Sequence, residues 1–114
     1  MQGRRRDDTR QGDLPPPIQP GDYWKVLDKD GLPLENEHPG KLTRHVWYVV
    51  APGPNGPDDH DDWLLGNLAN HTVREHEDGT ISVRPGDGWS NSILIRRRGY
   101  NWHGYIEHGI WRRA

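Results

Sequence analysis

Short apolar runs alternate along this chain with polar breaks marked by glycine and proline, and their lengths predict strands rather than helices. Tyr23-Trp24-Lys25-Val26-Leu27 reads as a strand, ended by the turn residues Asp28-Lys29-Asp30-Gly31. Thr43 to Ala51 holds the continuous β-branched and aromatic run Val46-Trp47-Tyr48-Val49-Val50, the pattern of a central strand covered on both faces. Pro52 to Asp62 is a loop, because Pro52, Gly53, Pro54, Asn55, Gly56 and Pro57 stop any strand. Trp63-Leu64-Leu65 then re-enters the core, read here as one helical turn capped by an Asp.

His71 to Arg84 predicts a hairpin with a three-residue loop, Glu77-Asp78-Gly79. That loop sets Val73 opposite Val83 and Glu75 opposite Ile81, gathering the apolar residues on one face, whereas a two-residue loop scatters them. Ser92-Ile93-Leu94-Ile95 is a further strand, ended by Arg96-Arg97-Arg98-Gly99. The same loop logic applied to Glu107-His108-Gly109 pairs Ile106 with Ile110 and Tyr105 with Trp111. The pattern therefore predicts an all-β domain of six or seven short antiparallel strands over residues 21–114, a small barrel or a two-sheet sandwich. Residues 1–20 read as an extended N-terminal arm. Met1 to Asp13 holds four Arg and three Asp with no apolar residue after Met1, and Pro15, Pro16, Pro17 and Pro20 follow. Such a stretch buries too little to offset its ordering entropy, so it is expected to be a solvated tail or to dock on a neighbour.

Composition agrees with this picture. Six Trp and four Tyr in 114 residues supply an aromatic core, while fourteen Gly and ten Pro are too many for a helical bundle. No segment approaches the roughly 20 apolar residues of a membrane helix, and no apolar run follows Arg4–Arg6 to make a secretory leader. Absence of cysteine removes disulfides, thiol nucleophiles and thiolate metal sites. With 15 basic against 17 acidic residues, no strong whole-molecule field attracts nucleic acid.

Several clusters offer chemistry. Seven histidines invite a divalent metal, with His71, His76 and His103 the candidates and His45 a distant fourth. The five-residue offsets His71–His76 and His103–His108, however, put regular-strand neighbours on opposite faces. The acidic loop Asp58-Asp59-His60-Asp61-Asp62 has oxygen ligands but lacks the spacing of a helix–loop–helix calcium loop, and it reads as a solvated loop or a handle for a basic partner. Glu75, on the inward face beside Ile81, is a carboxylate that burial could raise in pKa; an edge position reaching water is the plainer reading. Ser82, Ser90 and Ser92 lack a nucleophile elbow, and no enzyme motif is present. Twelve Arg against three Lys favours bidentate recognition of carboxylate or phosphate. If Arg96–Arg98 shared an edge with Arg112 and Arg113, Trp89, Tyr100 and Trp102 would complete a surface for single-stranded nucleic acid. Alternation along the strand and the guarding of edge strands by charge favour a solvated edge instead.

Trp63-Leu64-Leu65-Gly66, His71-Thr72-Val73, Glu77-Asp78-Gly79-Thr80-Ile81-Ser82-Val83, Ser92-Ile93-Leu94-Ile95 and the stretch from Trp102-His103-Gly104 to Gly109-Ile110-Trp111 resemble a family of short uncharacterised proteins of bacteriophages and bacteria, actinobacteria in particular. The resemblance covers about residues 63–111, and the Trp-His-Gly … Gly-x-Trp ending is its most specific part. It implies a phage setting, hence host cytoplasm or virion, and no established activity. Some bacterial members look zinc-binding through cysteines near the final histidine segment. In that comparison His103 is the one retained position, and without cysteine the zinc does not carry over.

The function expected from these observations is a non-enzymatic protein-binding module, a phage-type accessory or minor virion protein. It would bind another protein, such as a phage structural protein, or itself, through Trp24, Trp89, Arg96, Arg98 and Trp102, and it would need no cofactor. The alternatives are a His-dependent metal-binding protein or hydrolase and a single-stranded nucleic-acid binder.

Overall fold

Residues 1–39, 43–84, 92–97 and 99–114 are described by the computed structural model of the chain, and the protein is all-β with no helix among them. The apolar run at 46–51 forms its centre. Strand β4 (Trp47–Pro52) lies between β3 (Asp22–Leu27) and β5 (Trp63–Asn67), antiparallel to both. Its alternate residues enter different clusters, as expected for a strand with no wet face. Trp47, Val49 and Ala51 join the main core, while Val46 and Val50 pack with Trp24 and Val26 on the other side.

Residues 63–65 are strand rather than a helical turn. Gly53 N–H donates to the Asp62 carbonyl and Pro52 pairs with Trp63, so the acidic loop closes a long hairpin. Three local residues cannot outweigh a five-residue ladder against β4, and tertiary pairing overrides the local signal.

The N-terminal segment also departs from expectation. Two short strands, β1 (Arg4–Arg5) and β2 (Thr9–Arg10), run parallel to β3 along its free edge. Gly3 N–H donates to the Gly109 carbonyl and Gln2 bridges to Ile110, so the same segment touches the second sheet. Apolar burial, on which the expectation of a solvated tail rested, is not the only means of ordering a chain. Here the Asp22 carboxylate, fully buried, accepts from Arg4 Nε at 2.8 Å and Arg6 Nη1 at 2.8 Å, and backbone ladders do the rest.

The second sheet has the order β10 (Ile110–Arg113), β9 (Tyr100–Glu107), β8 (Ile93–Arg97), all antiparallel. Between the sheets lies the small hairpin β6 (Arg74–Glu75) and β7 (Ile81–Ser82), whose register sets Glu75 opposite Ile81 as the three-residue loop requires, with Gly79 at φ 85°. The C-terminal hairpin differs from its expected register by one residue. His108 at φ 45° and Gly109 at φ 77° make a two-residue turn, so Trp111 faces Ile106 and Tyr105 faces Arg112. Two left-handed residues match the right-handed twist of the strands, and this turn puts Trp111 and Ile106 together in the core. Trp111 packs edge-on against Trp102 with ring centroids 5.0 Å apart. Main-core residues come from both sheets and from β7, and among the described residues neither sheet closes on itself, so the barrel is not closed while a sandwich is allowed.

Candidate functional site

Where β8 passes β5, position 66 has no side chain, and Ile95 occupies the room: a Cβ on Gly66 would stand 2.5 Å from Ile95 Cδ1. Beside this contact the two strands border a cleft of about 490 Å³. Its floor is apolar, with Val49, Leu68 and Ile93 all buried; its polar lining is Asn67, Asn70, His71, Ser92 and Arg96. Both bordering strands are terminal in their sheets among the described residues, and each carries an exposed leucine, Leu65 at 39% and Leu94 at 43%. Ile93 is buried and Ile95 packs on Gly66, so the pleat sends Leu94 outward.

His71 is buried at 8% exposure. Its Nε2 lies 3.3 Å from the Ser92 carbonyl, which can only accept, so Nε2 carries the proton and Nδ1 keeps a lone pair. Among the described residues Nδ1 is the buried side-chain nitrogen or oxygen left without a partner. Burial lowers the His71 pKa, opposed in part by the bond to Ser92, and the ring is neutral near pH 7. Ser92 Oγ lies 2.8 Å from His103 Nε2, so His71 and His103 meet at one serine. Arg96 has no ion-pair partner among the described residues.

A second cluster sits at the joint of the hairpins. Buried Ser82 accepts from His108 N–H at 2.9 Å, and its Oγ is hydrogen-bonded to His76 Nε2 at 2.7 Å. The His76 and His108 rings stack with centroids 3.9 Å apart. Neither pair spaced by five residues is reunited: His71 and His103 meet at Ser92, while His76 stacks on His108 from the other hairpin, which spacing along one strand cannot anticipate. His45 lies elsewhere, beside Glu35. Among the described residues no three His, Asp or Glu side chains are grouped to hold a metal.

Other site expectations fare differently. Trp24 and Trp102 are core residues at 1% and 2% exposure, so neither is a surface anchor. Trp102 is buried in the main core and Trp24 in the smaller cluster on the other face of the first sheet; isolated aromatics in a polar sequence gave no hint of those layers. Trp89 and Arg98 lie outside the described residues. Arg96 is exposed in the cleft lining, but β9 separates β8 from β10, so Arg96 and Arg112 stand on opposite edges and do not form one basic surface. Glu75 is not raised in pKa. Partial burial pushes it up, but hydrogen bonds and charge from Lys25 and Arg5 outweigh this and hold it below the usual glutamate range. Asn67, Asn70 and Leu94 were missed; an outward leucine between two inward isoleucines is the signal that marks Leu94.

Comparison with protein-family models, with curated proteins and with solved structures finds no match. Fold and cleft together define a small all-β domain with an open groove between two sheet edges.

Proposed function

We propose that this chain is a non-enzymatic protein-binding module whose β5–β8 cleft receives an extended segment of another protein, in the role of a phage accessory or minor virion protein. The observation that carries the reading is Leu94, 43% exposed on a strand that is terminal in its sheet among the described residues, near an Arg96 with no ion-pair partner among them. Edge strands are normally guarded by charge or turn away to prevent pairing; β8 has Arg96 and Arg97 at one end but keeps an exposed leucine beside a cleft of mixed polar and apolar lining, and there it invites pairing. The phage setting comes from the resemblance of residues 63–111. Selection of displayed random peptides on the full chain tests the proposal. Enriched peptides should alternate apolar residues, and Leu94→Lys should abolish their binding; a selection that enriches nothing, or peptides indifferent to Leu94→Lys, would overturn it.

A second reading, a His-dependent hydrolase, is favoured by the 2.8 Å approach of Ser92 Oγ to His103 Nε2. No carboxylate is bonded to His103 among the described residues, so a third member to orient the base is missing. Hydrolysis of an activated ester that Ser92→Ala removes, while leaving peptide binding intact, would establish it.

A further inference from the structure

We propose that the β5–β8 cleft recognises the carboxyl terminus of an extended polypeptide that ends in an apolar residue. This rests on the binding-module reading and adds the chemistry of the partner.

Three features that line the cleft ask for different groups. Arg96 supplies a fork of N–H donors with no carboxylate among the described residues to take them, and planar bidentate pairing with a carboxylate is what a guanidinium does best. His71 supplies a buried lone pair on Nδ1 with no donor to meet it among the described residues. An unmet buried acceptor is costly to the free protein, and a ligand N–H that reaches it relieves that cost. Val49, Leu68 and Ile93 supply an apolar floor. Asn67 adds to the donors: its Oδ1 already accepts from Ala69 N–H, which leaves the amide NH2 to face a carboxylate.

A chain-terminal residue carries all three complements at once: a carboxylate, an amide N–H two bonds from it, and a side chain. An internal Asp or Glu does not, because its charge sits at the end of the side chain that must fill the apolar floor. The open edge of β8 then pairs with the backbone that leads into the terminus. A cleft of about 490 Å³ accommodates such a residue and its neighbour.

The test uses the full chain, labelled with ¹⁵N, and two probes: the tetrapeptide acetyl-Ser-Thr-Val-Leu with a free carboxylate, and its C-terminal amide. The acid should shift the amide signals of Asn67, His71 and Ile93–Arg97, and the amide should bind about tenfold more weakly, the worth of a charge-assisted pair. Arg96→Gln, an exposed substitution, should bring the acid down to the affinity of the amide. The His71 ring nitrogens should move with both probes. Equal binding of acid and amide, or a preference that survives Arg96→Gln, would overturn the carboxylate claim and leave the binding module standing. If neither probe binds while displayed internal peptides do, the terminus is not the ligand. If nothing binds at all, both readings fall.

Discussion

Ile95 on β8 fills the space above Gly66 on β5. A Cβ at position 66 would meet Ile95 Cδ1 at 2.5 Å and Val49 Cγ2 at 3.3 Å, so the two sheets approach here only because one residue lacks a side chain. This contact sets the separation of the strands that border the cleft. Gly66→Ala should lower the unfolding free energy by about 1–3 kcal/mol, the usual cost of overpacking a core, measured by denaturant titration. It should also weaken peptide binding, since β8 must shift to make room. An unchanged stability would mean that Ile95 has a second rotamer to move into.

The N-terminal residues belong to the folded unit. Arg4 and Arg6 share the Asp22 carboxylate, which is fully buried. Removing both by Arg4→Ala with Arg6→Ala strands a buried charge, and the double variant should lose about 3–5 kcal/mol. Either single variant should lose less, because the other arginine remains. Adding Asp22→Asn to the double variant should restore part of the loss, as the charge then disappears with its partners. Denaturant unfolding of the series checks this.

Glu75 ties the small hairpin to the first sheet through Lys25 and Arg5. Its pKa is lower in the folded protein than in the unfolded chain, so the ionised form favours folding. That contribution is complete above the ordinary glutamate range and disappears as pH falls through it and through the folded value beneath. Glu75→Gln should therefore be less stable than the natural protein near pH 7, by less than about 1 kcal/mol for so exposed a group, and equal to it in strong acid. Raising the salt concentration at pH 7 should shrink the difference. Melting temperatures of the two proteins across pH settle the sign.

At the C-terminal turn, Gly109 stands at φ 77°, and a Cβ there would lie 2.9 Å from Tyr23 Oη. Gly109→Ala should cost about 1–3 kcal/mol from the left-handed backbone with the added contact. His108, at φ 45°, should tolerate Gly or Asn and resist Val, whose branched Cβ disfavours that conformation. Thermal unfolding should leave His108→Gly and His108→Asn close to the natural protein and place His108→Val and Gly109→Ala below it. If His108→Val matched His108→Asn, the turn would not be held in this conformation.

Periodicity made the fold class and the centre of the larger sheet legible. Val46 to Val50 announced a strand buried on both faces, and the pairing logic at Asp78-Gly79 placed Glu75 opposite Ile81, as it is. What escaped was whatever depends on distant partners. Arg4 and Arg6 look solvated until Asp22 is seen beneath them, and Trp63-Leu64-Leu65 looks helical until β4 is beside it. At the final hairpin the turn glycine was legible, but the three-residue loop carried over from the first hairpin gives way to a two-residue turn in which His108 also takes a positive φ. For the cleft, the residue types were visible and their meeting was not. His71, Ser92 and Arg96 come from segments up to 25 positions apart (96 less 71), joined where one sheet's edge meets the other's.

Hydrogen exchange of the β8 amides, with and without a peptide selected on the protein, tests the binding-module proposal most directly. Edge amides of Ile93–Arg97 that point away from β9 should exchange quickly in the free protein and become protected on binding, because an added strand gives them acceptors. Protection confined to other strands, or none at a saturating peptide concentration, would contradict the assignment of the cleft as the binding site.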